Sequence, residues 1–182
     1  MLGVVFTEFL EMVEDRFSMD TVDAILDATN TTNDGSYTAV GQYKAEEILA
    51  LVVALSDHTN TPVPTLVRAF GQHLFPRLAK GHPETVAGLD SSLQLLEHIE
   101  SHIHVQVRKL YPNAELPHFA TERHGEHSIT MTYSSSRPLA GLALGLIEGC
   151  AKYFGETLHI EHVDTSEGAG TSATFNVTRL AN

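Results

Sequence analysis

Val5, Phe9, Met12 and Val13 recur at three- and four-residue steps, and Val22, Ile25 and Leu26 resume the rhythm further on. Acids fill the positions between, which predicts two amphipathic helices at the start of the chain. A polar stretch from Thr29 to Gly35 breaks the pattern. A third helix is expected over about Lys44 to His58, ended by Thr59-Asn60-Thr61-Pro62. Pro62 and Pro64 favour the start of a fourth, with Leu66, Val67, Phe70, Leu74 and Phe75 as its apolar stripe, and Pro76 is expected to end or kink it. Gly81, Pro83 and Gly88 mark a loop.

From Leu89 to Tyr111 runs the longest periodic segment, read as one helix with Leu96, Ile99, Ile103, Val107 and Leu110 inward and Pro112 as its stop. The period then changes. Ile129, Met131 and Tyr133 alternate with Thr130 and Thr132, the mark of a half-buried strand. Leu139 to Phe154 reads as a glycine-containing helix, and Leu158–Val163 with Ala173–Val177 as a hairpin around Ser166–Gly170. Helices first and a small antiparallel sheet later define an α+β class, and 182 residues make one domain the default.

Composition narrows the function. Lys and Arg number 11 against 23 Asp and Glu, a net charge of −12 that argues against nucleic acid or an anionic membrane as partner. The apolar runs Ile48–Leu55 and Leu139–Ile147 fall short of the ~18 residues of a membrane span. The first residues lack the cationic region of a signal peptide, so a cytoplasmic protein is expected. Cys150 stands alone, which excludes an internal disulfide and a multi-cysteine metal site. Eleven histidines direct attention to nitrogen ligation of a metal.

On an ideal Leu89–Tyr111 helix with Ile103 at the centre of the inward stripe, His104 lies about 100° to one side. His98 and His102 lie on the other side, so His104 cannot share a metal with them. Those two form an i, i+4 pair that suits either a zinc ion or a solvated face, and no third ligand accompanies them. His104 alone fits a hydrogen-bonded boundary residue as well as a ligand. His58, His82, His124 and His127 fall in loops or element ends, and no Ser-His-Asp or Cys-His spacing stands out. If the Tyr133 strand continues, Tyr133, Ser135 and Arg137 share one face. That face carries a phenol, a hydroxyl and a guanidinium, donors suited to carboxylates or phosphate; a strand end with a surface arginine is the plainer alternative.

Taken together, His104-x-x-Val107-x-x-Leu110-Tyr111-Pro112, then Pro117, then Tyr133-x-Ser135-x-Arg137 resembles the haem nitric oxide/oxygen-binding (H-NOX) family. Gly3-Val4-Val5-Phe6, Ala69-Phe70-Gly71-Gln72 and Gly145-Leu146-Ile147-Glu148-Gly149 resemble further family segments in family order, so the likeness spans essentially the whole chain. The resemblance implies a helical part over about residues 1–60 and a haem-holding mixed part over about 61–182, with haem b buried between them. It makes His104 the proximal ligand to haem iron, gives the propionates to Tyr133, Ser135 and Arg137, and sets Pro117 and Val5 against the macrocycle. Leu142 then falls at the place where oxygen-binding members carry a distal tyrosine, with Phe9 and Leu74 at other distal positions. None of the three can donate a hydrogen bond, so the expected ligands are NO and CO with O2 excluded. Signalling is expected to follow release of the His104–iron bond and to reach a separate histidine kinase or diguanylate cyclase. Many bacterial relatives carry a cysteine cluster near the C-terminal hairpin; Thr165–Thr171 has none. The competing reading is an enzyme, either a peroxidase-type haem protein or a histidine-zinc hydrolase, and the apolar distal set offers no acid–base group for it.

Overall fold

The alternation at Ile129, Met131 and Tyr133 sets the inner face of a four-stranded antiparallel sheet in which those residues, with Ala173, Phe175 and Val177, are buried. The structure is a computed structural model, and it describes residues 1–31 and 33–181. The strands are β1 (His118–Arg123), β2 (Ser128–Ser134), β3 (Leu158–Asp164) and β4 (Ser172–Arg179), in the order β1-β2-β4-β3. The expected hairpin is β3 with β4, in a register that pairs Ile160 with Val177. β1 was not expected, because Phe119 is its single buried residue and its other side chains are polar or small.

The helices are α1 (Gly3–Arg16), α2 (Met19–Asp27), α3 (Ala45–Thr59), α4 (Val63–Gly81), α5 (Ser92–Glu97), α6 (His104–Leu110) and α7 (Ala140–Tyr153). Ser18 caps α2 by accepting from the Thr21 N–H at 3.1 Å, and Asn60 closes α3 in the left-handed conformation that asparagine tolerates. Pro76 does not end α4, which runs on to Gly81. Two apolar cores result. Phe6, Phe9, Met12, Ile25, Leu51 and Leu55 form one with Leu66, Phe70 and Leu74 of α4; Phe75 and Ala79 of α4 join Leu93, Leu96, Ile147 and the inner sheet face in the other.

The expected single helix over Leu89–Tyr111 is three pieces. Ser91 caps α5 by accepting from the Gln94 N–H at 3.3 Å, while the Gln94 side chain accepts from the Asp90 N–H, so the first turn starts at Ser92. Between α5 and α6 lies a π-helical turn, Ile99–Ile103, in which the Ile103 N–H reaches the His98 carbonyl at 3.2 Å. A π turn holds one residue more than an α turn and sets everything after it back by about 100°. That correction moves His104 from the edge of the stripe to its centre: it is 8% exposed, whereas Leu110, expected inward, is 62% exposed. The hydrophobic string cannot reveal such an insert, because the apolar spacing on either side still looks helical.

Candidate functional site

Between the two cores lies a cavity of about 300 Å³. Its walls are apolar and come from Val5 on α1, Leu74 and Leu78 on α4, Leu95 and Leu96 on α5, Ile99 and Ile103 in the π turn, and Leu142 and Leu146 on α7. His104 lines it, as do Pro117, Tyr133, Ser135 and Arg137. Eight of the nine residues singled out from sequence therefore meet in one place. Phe9 does not; it is fully buried in the helical core and packs edge-on against Phe70 at 5.3 Å between ring centroids. The resemblance set it at a distal position; on α1 the inner face serves the helical core at Phe9 and the cavity at Val5.

His104 Nδ1 lies 3.0 Å from Glu100 Oε2, which also accepts the Phe119 N–H at 3.2 Å, while Arg108 donates to Glu100 Oε1 at 3.1 Å. Burial would raise the Glu100 carboxyl, but the Phe119 amide, His104 and Arg108 outweigh it and bring it down to about 2. Burial lowers His104 against the pull of that carboxylate, which favours a neutral imidazole. With Nδ1 engaged, Nε2 is the nitrogen left for a ligand, and it has no hydrogen bond among the described residues.

The expected strand face at Tyr133, Ser135 and Arg137 is met by other means. β2 ends at Ser134, and the chain then turns, with Ser135 Oγ accepting the Arg137 N–H at 3.0 Å. Burial pushes the Tyr133 phenol up despite hydrogen bonding from Ser135 and the Leu139 backbone. Arg137 donates to the Glu115 carbonyl at 3.1 Å and pairs with the Glu115 carboxylate. Sequence reasoning missed two contributors, Glu100 and Phe119. The i, i+4 spacing of Glu100 to His104 was a readable signal; Phe119, 6.0 Å from the His104 ring, belongs to the unread strand.

The remaining histidines assemble no metal centre: among the described residues no group of three or more His, Cys, Asp or Glu side chains is arranged to hold one. His98 and His102 meet edge to face at 5.4 Å. Cys150 is fully buried, and burial pushes its thiol well up, which leaves it inert. Among the described residues no helix is long and apolar enough to cross a membrane.

An apolar pocket that offers one neutral imidazole nitrogen to its interior and a phenol, a hydroxyl and a guanidinium along its lining defines a class, the haem-binding domain. Porphyrin needs apolar walls, its iron an axial nitrogen and its propionates charge-assisted donors, and these residues fit each requirement. The comparisons carry this to a family: a Haem-NO-binding family model matches residues 2–162, and the chain belongs to that family. Among solved structures it resembles the Fe(II) unliganded H-NOX protein of K. algicida, at 36% identity and TM-score 0.94 over 100% of this chain and 98% of that one. The H-NOX of Shewanella woodyi, solved bound to IWP-051 in the Fe(II)CO state, is 44% identical over 99% of this chain and 95% of that one, with TM-score 0.84. An S. oneidensis H-NOX protein in the Fe(II)NO state is 28% identical over the full length of both, with TM-score 0.91. No curated protein matches the chain. H-NOX domains are haem-based gas sensors rather than enzymes, and this sets aside the peroxidase and histidine-zinc readings.

Proposed function

We propose that this chain senses NO, and binds CO, while discriminating against O2, with His104 as the protein's ligand to iron. The observation that carries the reading is that His104 shares one cavity with Tyr133, Ser135 and Arg137 on its polar side and with Leu74 and Leu142 on its apolar side. Haem b, when bound, would supply a ferrous iron able to take diatomic gases.

Each residue then has a distinct task. His104 presents Nε2 to the cavity on a short helix. Tyr133, Ser135 and Arg137 hold the two carboxylates, with Arg137 exchanging or sharing its Glu115 partner. Pro117 and Val5, both in the cavity wall, would bear sterically on the bound group, and the fixed proline ring suits that task. Leu74 and Leu142 line the gas side without a donor, which withholds the ~0.5–1.5 kcal/mol or more that a hydrogen bond would give to polarised O2. Loosening the hold on His104 frees α6, a short helix tied to the fold through Glu100, and that movement is the signal. A separate histidine kinase or diguanylate cyclase in the cytoplasm receives it.

Absorption spectroscopy of the purified, haem-loaded ferrous protein tests this. Its Soret band should shift with NO and with CO and stay put in air-saturated buffer. A shift in air comparable to that with CO overturns the discrimination against O2, and failure to take up haem overturns the whole reading.

A further inference from the structure

Glu100 lies in the π turn, four residues before His104, and both of its carboxylate oxygens are in use. Oε2 faces His104 Nδ1 at 3.0 Å and the Phe119 N–H at 3.2 Å, and Oε1 accepts from Arg108 at 3.1 Å, with His118 Nδ1 a further 3.6 Å neighbour. These partners come from two directions, α6 on one side and the start of β1 on the other. The carboxylate is therefore held in place independently of His104.

We infer that Glu100 is a positioning residue for His104, fixing the ring with its proton on Nδ1 and the Nε2 lone pair toward the cavity, and mooring it to β1 through Phe119. The inference rests on the reading of His104 as the iron ligand and deepens it. An imidazole at the cavity wall has two tautomers and can turn about its Cβ–Cγ bond. A carboxylate that already accepts from an amide and a guanidinium is acceptor-only, so the ring nitrogen facing it must be the donor. The charge-assisted bond also makes Nε2 a better electron donor to a metal, the general effect of a carboxylate behind a ligating histidine. Glutamine is not equivalent: it keeps one carbonyl oxygen for three donors and turns its own N–H groups on Arg108 or His104. Among the described residues no other acid is paired with His104, and the neighbouring Glu97 is paired with Arg123 at 2.8 Å.

The full-length chain with Glu100→Gln, Glu100→Ala and, as a control, Glu97→Gln tests the inference in two arms. In the haem-free protein, side-chain ¹⁵N NMR should show His104 as the Nδ1–H tautomer in wild type and Glu97→Gln, and as a tautomer mixture in Glu100→Ala. In the haem-loaded ferrous protein, the iron–histidine stretching band in resonance Raman should fall in Glu100→Ala, fall less in Glu100→Gln and hold in Glu97→Gln. Haem transfer to apomyoglobin should speed up about 10–100-fold in Glu100→Ala, the usual range for losing such a partner. An unchanged tautomer together with an unchanged stretch in Glu100→Ala overturns the inference. Should Glu100→Ala not fold, Glu100→Gln and Glu100→Asp decide by the same readouts. Failure of wild type to take up haem sinks the haem reading alone, because the NMR arm still decides whether Glu100 sets the His104 tautomer.

Discussion

Gly71 on α4 and Gly145 on α7 meet backbone to backbone: a Cβ on Gly145 would lie 2.9 Å from the Gly71 Cα, and one on Gly71 would lie 2.7 Å from the Gly145 Cα. Gly149 continues the contact one turn on, where a Cβ would come within 2.7 Å of Phe75 Cβ. Arg68 and Gln72 of α4 both donate to Glu148 of α7 across the same seam. Gly145→Ala should force the helices apart at an overpacking cost of about 1–3 kcal/mol. At roughly 2–4 °C per kcal/mol for a chain of this size, the melting temperature of the haem-free protein should drop visibly. A melt superimposable on wild type would show that α7 can shift to make room.

His104→Gly removes the one imidazole that lines the cavity among the described residues. Haem uptake should be lost and should return when imidazole is added, as read from the Soret band after desalting. Full retention without imidazole would assign the iron to another residue.

Leu142 is the wall position at which a donor should change the choice of gas. Leu142→Tyr should raise O2 affinity by about 10–100-fold, since a hydrogen bond to a strongly polarised acceptor contributes ~1.5–3 kcal/mol. Oxygen titration of the ferrous variant measures it, and an unchanged affinity would remove Leu142 from the gas side.

Acid should destabilise the haem-free protein in two stages. Burial, aided by Arg77, lowers His73, and burial lowers His104, so the unfolded chain takes up protons near pH 6.5 that the folded chain refuses. Stability is therefore full above that pH and declines below it. Glu100, Glu148 and Glu156 are held below the usual carboxylate range by their donors despite burial; what they contribute is present above about pH 4.5 and lost as the pH falls below it, in the case of Glu100 toward about 2. Glu8 is raised by burial and Glu11, so it adds stability as the pH falls toward about 4.5 and offsets part of the first decline. His73 Nε2 sits 3.6 Å from Glu8 Oε2, and neither atom has a hydrogen-bond partner among the described residues. His73→Gln should flatten the first stage; thermal melts between pH 7 and 5 check it, and an identical slope would mean His73 titrates normally in the fold.

What the sequence made legible was set by side-chain chemistry at fixed spacing. His104, Pro117, Tyr133, Ser135 and Arg137 could be picked out because their types and order are uncommon together. The π turn escaped, since one inserted residue leaves the apolar spacing on each side intact, and with it went the inward place of His104. β1 escaped because His118–Arg123 buries one residue and gains its place from pairing with β2, a long-range contact that local patterning does not record. Phe9, expected at a distal position from the resemblance, is not among the residues that line the cavity, for its ring packs against Phe70 in the helical core. Glu100 was passed over although its spacing to His104 was in plain view, for a lone acid on a helix usually faces water.

Leu74 and Phe75 are consecutive, yet they lean into different cores. A helix gripped in this way cannot be rolled to suit one core without tearing the other. α4 thus ties the two cores to one shaft, and the cavity, which has Leu74, Phe75 and Leu78 in its wall, lies along it.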